Sequence, residues 1–344
     1  MIDSITITLE NFSGNFEKCK SQGKSYNTEV YRLYSRKNDD EMDEDVDNDD
    51  EKKGNYLLLK YKPKEKRLVL EKRSIRKWYL GKYSLDDLST KTFTNAIQDI
   101  ADALNIPIEE LAEGKVTRCE IGLNIKTSIP CDKIIESVML YSVLDWYRYM
   151  FDTVGFKGDD KDVKLYNKPR ELLKRNKRCI SDENKKALEQ LEKDGKYFLR
   201  VEFTLYDKKS FEGHKLSNIR TIGGLLCHYK DLYDFWAREV EKIILQPKLI
   251  FDEKMTPKEY MIAYTLSNIG LQGFEAECKS RWASSVRHSK FKSEVKDVFS
   301  KYKICYTYDK KEFYKDVLRR SKEIRDEDEN FSPVRFIKGL WKRP

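Results

Sequence analysis

The sequence predicts an α+β fold in which a mainly antiparallel sheet carries the active site, helices pack against it, and a mostly helical C-terminal part follows. The sheet is predicted from three segments in which apolar and polar residues alternate, since a period of two is typical of half-buried strands. These segments are 116–125, 162–168 and 198–206. Apolar residues at helical spacing dominate after residue 222, which places a helical part at the C-terminal end.

The other elements follow in chain order from the same periodicities and from turn and capping signals. We predict an opening strand at 2–9, a β-hairpin with strands 56–61 and 67–71, and helices at 94–104, 106–111, 132–151, 181–193 and 222–245. Thr256-Pro-Lys-Glu259 is a capping box with proline at the first helical position, so another helix begins there. A soft boundary near 244–248 separates region 1–245 from region 246–344.

The charge distribution predicts a soluble protein with a polyanionic partner. The chain has 344 residues and 12% aromatic residues, enough to bury a full core. Asp39 to Glu51 contains ten acidic residues and no Lys or Arg. The net charge of the whole chain is +8, so the remaining residues carry a net charge of about +18. Residues 38–53 are therefore predicted to be a disordered acidic insertion. Basic clusters that fit nucleic-acid phosphate contacts stand at 72–78, 174–178, 279–292 and 341–343.

Several classes of protein are disfavoured. No apolar run approaches the length of a membrane span and the first residues lack the features of a signal peptide, so we expect a cytoplasmic protein without a membrane partner. The seven cysteines include no Cys-x-x-Cys pair, which argues against a disulfide framework or a zinc site. The three histidines are isolated, which disfavours a metal site built on a histidine pair. No glycine-rich phosphate-binding motif is present, so nucleotide hydrolysis is unsupported.

The polar faces of the three strands bring together residue types that suit phosphodiester chemistry. Glu120 and Glu202 are candidate ligands for Mg²⁺ or Mn²⁺, because hard divalent ions prefer oxygen ligands. Tyr166 is a candidate nucleophile, and Lys168 and Arg200 are candidate catalytic cations that stabilise charge on a phosphate. Each also has an ordinary alternative, since strand tyrosines commonly only pack and sheet carboxylates commonly pair with cations across strands.

The same segments resemble a known family, the gene II/X replication proteins of filamentous bacteriophages. The resemblance begins at Met1-Ile-Asp3 and continues at Thr117-Arg-Cys-Glu120, where the family has an Arg-x-Asp strand, and at Arg200-Val-Glu202. Its sharpest motif is Tyr166-Asn-Lys-Pro-Arg-Glu-Leu172, which matches a Tyr-x-Lys-x-x-Glu-Leu element of the family. It covers most of the chain, is patchy beyond Gln246, and includes a patch at 333–337 near the C-terminus. Glu120 stands where the family usually has Asp, and the acidic insertion is not a family feature.

The resemblance implies a rolling-circle replication initiator of a phage or plasmid, which nicks one origin strand and later rejoins the displaced strand. It implies that Tyr166 forms a 5′-phosphotyrosine intermediate beside Lys168, and that Glu120 and Glu202 hold the metal. Region 1–245 is then the DNA-nicking domain and region 246–344 a DNA-binding part. The implied partners are double- and single-stranded origin DNA, a host helicase and a host DNA polymerase, in the bacterial cytoplasm. The alternative is a non-catalytic regulator that binds the origin or single-stranded DNA, as the family's shorter X form does.

Overall fold

The computed structural model describes residues 1–35, 55–141, 145–148, 152–177, 180–246, 249–250, 254–265, 285–301, 305–306, 308–328 and 331. The acidic insertion and the sequences 333–337 and 341–343 lie outside these residues, as does the first part of the basic cluster 279–292. Contacts along the chain group Met1–Ile244 with the segment that starts at Tyr314, and they separate Leu245–Phe313 as a second unit. The predicted functional split into a nicking region and a DNA-binding region stays a prediction.

Ten strands form one sheet in which every pair of neighbours is antiparallel. The strands within the described residues are β1 (Ile2–Leu9), β2 (Lys20–Ser25), β3 (Thr28–Tyr34), β4 (Tyr56–Lys62), β5 (Arg67–Ser74), β6 (Lys115–Thr127), β7 (Val138–Tyr141), β8 (Asp145–Arg148), β9 (Thr153–Lys157), β10 (Lys161–Asn167), β11 (Tyr197–Leu205), β12 (Ile243–Leu245), β13 (Leu249–Ile250) and β14 (Cys305–Tyr306). The order in the large sheet is β2-β3-β4-β5-β1-β6-β11-β10-β9-β8, so the three predicted site strands are direct neighbours. The predicted α+β fold with a mainly antiparallel sheet is confirmed.

Helices connect and cover these strands. They are α1 (Ile75–Leu80), α2 (Thr90–Ala103), α3 (Ile108–Ala112), α4 (Cys131–Ser137), α5 (Lys168–Arg175), α6 (Asp182–Lys193), α7 (Lys208–Gly213), α8 (Ile222–Cys227), α9 (Tyr229–Glu241), α10 (described over 257–265), α11 (Ser285–Lys301) and α12 (Lys310–Glu327). The predicted helices 94–104, 106–111 and 181–193 correspond to α2, α3 and α6. The predicted helix 222–245 is divided into α8 and α9, and its end is wrong, because residues 243–245 form strand β12. In the part of the chain that is described, no helix has the length and hydrophobicity that a membrane span requires.

The apolar face of the sheet forms the core, as the alternating pattern predicts. On β6, the side chains of Cys119, Ile121, Leu123 and Ile125 are fully buried. Helix α9 packs on this side, and its Trp236 donates an Nε1 hydrogen bond of 3.0 Å to the carbonyl oxygen of Val201 in β11. Burying such large apolar side chains fixes the strand register, because a shift by one residue would move every side chain to the other face. The polar residues of the same strands are therefore held on the opposite face.

The predicted helix at 132–151 is wrong at residues 138–141 and 145–148, which are strands. Helix α4 ends at Ser137, the chain continues as β7, and β8 pairs with β9 so that Trp146 lies opposite Phe156. Tyr141, at the end of β7, is buried, and its hydroxyl donates to Glu239 in α9. The segment is rich in β-branched and aromatic residues, which fit a pleated surface as well as a helix. For residues 145–148, pairing with β9 decided between the two structures, and this pairing is not visible in local periodicity.

A second correction concerns Lys168, which was predicted to lie on the strand 162–168. The strand ends at Asn167, whose side chain accepts a 3.2 Å hydrogen bond from the backbone N–H of Arg170 and so caps α5. Lys168 is the first residue of that helix, and Pro169 follows in the first turn, where proline is well tolerated. The motif that begins at Tyr166 is therefore a strand end joined directly to a helix.

The second unit contains the predicted capping box. The backbone N–H of Thr256 donates to Glu259 Oε2 at 2.8 Å, and the backbone N–H of Glu259 donates to Thr256 Oγ1 at 3.3 Å. Glu259 also forms an ion pair with Lys301 at the end of α11, with Lys301 Nζ 2.8 Å from Glu259 Oε1. Strands β13 and β14 pair antiparallel. Helices account for most of the described residues of this unit, in line with the helical C-terminal part that was predicted.

Candidate active site

A cleft of about 910 Å³ opens on the polar face of the sheet in the first unit. Among the residues that the structure describes, its lining contains nine cationic and six carboxylate side chains. The cations are Arg73, Lys77, Lys82, Arg118, Lys157, Lys164, Lys168, Lys174 and Arg175, and the carboxylates are Asp3, Glu120, Asp152, Asp162, Glu171 and Glu202. An excess of positive charge in a concave surface attracts a polyanion such as a nucleic acid. Four of the five predicted site residues, Glu120, Tyr166, Lys168 and Glu202, belong to this lining.

Tyr166 lies near the end of β10 with 8% of its surface exposed, at the cleft. Its hydroxyl donates a 2.8 Å hydrogen bond to Glu202 Oε1 on the neighbouring strand β11. Burial and the negative charge of Glu202 raise the pKa of Tyr166 well above its ordinary value, although Arg200 acts in the opposite direction. The phenol is therefore protonated at neutral pH and needs a proton acceptor before it can act as a nucleophile. Glu202 is placed to be that acceptor.

Arg200 is fully buried beneath this pair, and it is not part of the cleft surface. Its Nε donates to Glu202 Oε1 at 2.5 Å, its Nη2 to Asp3 Oδ2 at 2.8 Å and its Nη1 to Asp87 Oδ1 at 2.9 Å. All three guanidinium nitrogens are thus engaged with carboxylates. The geometry gives Arg200 a positioning role, because it holds Glu202 against Tyr166 and leaves no donor facing the cleft.

A glycine on the adjacent strand makes room for this arrangement. Gly122 of β6 lies opposite Glu202, and a Cβ there would approach Glu202 Cγ to 2.7 Å and Arg200 Nη2 to 3.2 Å. Glycine inside a strand often marks a place where another group approaches the backbone closely. Here the approaching groups are the two side chains that support Tyr166.

Asp3 is the residue that links the opening strand to this network. It accepts from Arg200, lies 3.6 Å from Arg76 Nε, and accepts a hydrogen bond from the Ser74 hydroxyl. Burial raises the pKa of Asp3, but the charges of Arg200 and Arg76 outweigh burial and hold that pKa well below its ordinary value. Asp3 is therefore ionised at neutral pH, which contributes negative charge at the base of the cleft.

Glu120 lies on the same face of β6 as Gly122, and Arg118 Nη2 donates to its Oε1 at 2.6 Å. The pKa of Glu120 is raised chiefly by burial and, to a smaller extent, by the negative charges of Glu202 and Asp3. The positive charge of Arg118 offsets only part of this increase. Three carboxylates thus repel one another at this point of the cleft. A repulsive cluster of this kind is relieved either by a proton or by a cation.

Lys168 has 1% of its side chain exposed, and its ammonium lies 5.4 Å from the centroid of the Tyr166 ring. Its Nζ donates to Glu171 Oε2 at 2.9 Å, and Glu171 Oε1 is 2.7 Å from Arg175 Nε and 4.0 Å from Lys77 Nζ. Burial lowers the pKa of Lys168 to about 8, and the charge of Glu171 opposes this effect. Burial raises the pKa of Glu171, but Lys168 and Lys77 outweigh burial, so the net shift is downward. Glu171 is therefore an ionised anchor that keeps Lys168 protonated beside the phenol.

A metal ion at this site would be held by Glu120 and Glu202. Among the described residues, no three His, Cys, Asp or Glu side chains are arranged to hold a metal ion by themselves. Oε2 of each of the two glutamates accepts no hydrogen bond from the part of the chain that is described, and both residues line the cleft. Mg²⁺ and Mn²⁺ commonly keep several water ligands and bind through one or two carboxylates plus substrate phosphate oxygens. The donor set fits an ion bound in that manner.

Replacing Glu120 with glutamine is expected to weaken metal binding and to stabilise the fold. Because burial, together with the charges of Glu202 and Asp3, raises the pKa of Glu120, the ionised form opposes folding, and stability is gained as the pH falls through that raised pKa. Glutamine is neutral at every pH, so the variant should unfold at a higher urea concentration than the parent at pH about 7. Its Mn²⁺ affinity, measured by calorimetry, should fall at least about 10-fold. The exposed Glu189→Gln change on α6 is the control, and equal affinities in both variants would rule out the metal role.

The residues of the basic cluster 72–78 are divided between the protein interior and the cleft. Within 72–78, Arg76 is fully buried and Trp78 donates to the carbonyl oxygen of Leu33, while Arg73 and Lys77 line the cleft. The cluster therefore divides into a structural part and a part that faces the cleft. Sequence reasoning missed the roles of Asp3, Arg76 and Asp87. Asp3 was noted only as part of the motif Met1-Ile-Asp3 and Arg76 only as a member of the basic cluster 72–78, and Asp87 gave no signal.

A scan against models of protein families, a search of curated proteins and a search of solved structures each found no match to this chain. Function is therefore inferred from the fold and from the geometry of the cleft.

Proposed function

We propose that this protein is a tyrosine-dependent DNA nickase that initiates rolling-circle replication of a phage or plasmid. The observation that carries the proposal is the hydrogen bond between the Tyr166 hydroxyl and Glu202 at the surface of a cationic cleft. A nucleophile bonded to a base that is itself oriented by a third group is the arrangement that activates hydroxyl nucleophiles, and Arg200 is the third group here. The motif resemblance around Tyr166 supports the same assignment.

In the proposed reaction, Tyr166 Oη attacks the phosphorus of one origin phosphodiester. The new Oη–P bond forms as the P–O3′ bond breaks, and the phenolic proton passes to Glu202. The 3′ oxygen leaves with the bonding electron pair and takes a proton from water in the open cleft. Lys168, protonated and close to the ring, offsets negative charge that develops on the phosphoryl group. The products are a 5′-phosphotyrosine link and a 3′ hydroxyl that primes synthesis by a host polymerase, and the reverse attack rejoins the strand.

A metal ion and the other cations of the cleft would neutralise the scissile phosphate and position the DNA. Mg²⁺ or Mn²⁺ bound to Glu120 and Glu202 would neutralise charge on the scissile phosphate. Lys164 lies two residues before Tyr166 on β10 and lines the cleft, as do Lys174 and Arg175 of α5. These cations contact phosphates without reading sequence, so they position the DNA strand and make binding salt-dependent.

The second candidate function is a non-catalytic regulator that binds origin or single-stranded DNA. One observation favours it: Arg118 pairs with Glu120 and Tyr166 with Glu202, and contacts of this kind also stabilise sheets that have no catalytic role. The two functions share the cationic cleft and differ in whether a covalent bond to DNA forms.

The test of the proposal is incubation of the protein with supercoiled DNA of its own replicon and Mg²⁺ or Mn²⁺, followed by denaturing gels. We expect nicked circles and a protein–DNA adduct whose peptide map places the DNA on Tyr166. Tight, salt-sensitive binding without a nick or an adduct would establish the regulator instead.

The nicking rate is expected to fall as the pH rises through about 8, where Lys168 loses its proton. Since the charge of Glu171 raises the pKa of Lys168, Glu171→Gln should move this alkaline decline to lower pH. The measurement is the single-turnover rate between about pH 6 and 9.5. Glu183→Gln, an exposed change on α6, should leave the profile where it is. A decline that does not move in Glu171→Gln would separate Lys168 from the reaction.

A further inference from the structure

Among the cleft cations that the structure describes, Lys164 is the one without a partner. Its side chain is partly exposed, and its Nζ makes no hydrogen bond, ion pair or ring contact with any described residue. The others are engaged: Lys77, Lys168 and Arg175 with Glu171, Lys174 with Asp152, Arg118 with Glu120, Arg73 with Tyr56 and Lys82 with the ring of Tyr83, and Lys157 also has a partner. Lys164 is therefore ready to bind an anion that enters the cleft.

The register of the sheet makes this lack of a partner unexpected. Lys164 on β10 lies directly opposite Glu202 on β11, and opposite charges at such positions attract each other. Glu202 Oε1, however, already accepts hydrogen bonds from the Tyr166 hydroxyl and from Arg200 Nε. The carboxylate is thus held by two other donors, and the ammonium group beside it stays available.

The same register places Lys164 beside the proposed nucleophile. Tyr166 follows Lys164 by two residues, so both side chains leave the same face of β10. The phenol reaches diagonally to Glu202, the residue directly across from Lys164, with 2.8 Å between Oη and Oε1. Lys168, in contrast, has only 1% of its side chain exposed and donates to Glu171 at 2.9 Å, so it acts through its charge without touching a substrate.

We propose that Lys164 is a catalytic residue of the nicking reaction, with its Nζ bound to a non-bridging oxygen of the scissile phosphate. The inference rests on the proposed function for the reaction itself. Attack by Tyr166 leaves two non-bridging oxygens on phosphorus, and Lys164 offsets the charge that develops on one of them, while no bond of Lys164 forms or breaks. The competing explanation is that Lys164 only attracts DNA into the cleft.

The first measurement is the single-turnover nicking rate of a single-stranded origin oligonucleotide at saturating protein. Lys164→Met should lower this rate about 10²-fold, the usual cost of one donor to a transition-state charge. The affinity for the oligonucleotide should fall by no more than about 5-fold, because a single phosphate contact is lost. Lys164→Arg should recover part of the rate, since arginine also binds phosphate. The control is Lys126→Met, which alters an exposed lysine of β6 outside the cleft lining and should keep the parental rate.

A sulfur substitution identifies the oxygen that Lys164 contacts. Sulfur accepts hydrogen bonds more weakly than oxygen, so sulfur in place of that non-bridging oxygen should slow nicking by the parent. It should add little to the loss in Lys164→Met, because the contact is already absent there. At the other non-bridging oxygen, sulfur should have the same effect in both proteins. A purely structural role of Lys164 would not produce this difference between the two oxygens.

A second measurement does not depend on cleavage. Tyr166→Phe, free or bound to the same oligonucleotide, is treated with an acetylating reagent, and the labelling of each lysine is measured by mass spectrometry. Bound DNA should abolish labelling of Lys164 and leave that of Lys126 unchanged. A parental nicking rate in Lys164→Met, or sulfur effects that add in full at both oxygens, overturns the inference. Labelling of Lys164 that is equal with and without DNA also overturns it. Absence of nicking by the parent, with Lys164 still protected, refutes the nickase and retains a DNA phosphate contact at Lys164.

Discussion

Tyr166→Phe is expected to abolish strand nicking and the covalent adduct while leaving DNA binding intact. The substitution removes one oxygen atom, the only atom of the side chain that can bond to phosphorus. With no nucleophile, the single-turnover rate should fall at least about 10³-fold, to the limit of detection. The variant also loses the hydrogen bond to Glu202, but the cations that line the cleft are unchanged, so the affinity for DNA should stay within about 3-fold. The measurements are denaturing gels for the adduct and anisotropy for binding.

The matched control is Tyr206→Phe. Tyr206 follows β11, its hydroxyl donates to Asp162 much as Tyr166 donates to Glu202, and it is not part of the cleft lining. Both variants lose a hydrogen bond between a phenol and a carboxylate, so a difference between them reports on position in the cleft. Full activity in Tyr166→Phe would transfer the nucleophile to another group, and equal loss in both variants would point to a general effect on the sheet.

The sheet could be predicted from the sequence because periodicity reports burial directly. Segments 116–125 and 198–206 alternate so regularly that one face had to be the core, and the structure places their apolar residues there. Residues 138–148 could not be assigned in this way, since aromatic and β-branched side chains satisfy helical and strand spacing alike. For residues 145–148 the deciding factor was the pairing of β8 with β9, which involves residues outside the segment.

The composition of the site was also predictable, whereas its internal roles were not. The contact between Tyr166 and Glu202 depends on the register of β10 and β11, in which Tyr166 lies opposite Arg200 and Glu202 lies opposite Lys164. The phenol therefore reaches the carboxylate diagonally, a relationship that requires the strand pairing to be known. Arg200 has the same appearance in the sequence as a solvent-exposed cation. Its burial follows from Asp3 and Asp87, which are distant along the chain and give no local signal.

Arg200→Met is expected to cost about 3–5 kcal/mol of folding free energy, the largest stability effect of any single change in this site. Methionine fills a similar volume but leaves Asp3 with Arg76 at 3.6 Å and Asp87 with Arg320 at 3.1 Å. Among the described residues, Glu202 then keeps only the hydrogen bond from the Tyr166 hydroxyl. Urea denaturation at neutral pH measures the loss. Arg319→Met is the control, because that guanidinium is 53% exposed in an ion pair with Asp316, so its loss should cost no more than about 1 kcal/mol.

The pH dependence and a double variant test the same electrostatic explanation. Because Arg200 holds the pKa of Asp3 below its ordinary value, the stability from this contact is complete above the unfolded pKa near 4 and is lost as the pH falls through the folded pKa. The difference between parent and Arg200→Met should therefore shrink steadily on acidification below about pH 4. Adding Asp3→Asn to Arg200→Met should recover part of the lost stability, since it removes a carboxylate whose main partner is gone. If the two substitutions instead cost the sum of their separate effects, Arg200 would stabilise the sheet by packing, and Glu202 would keep its position without it.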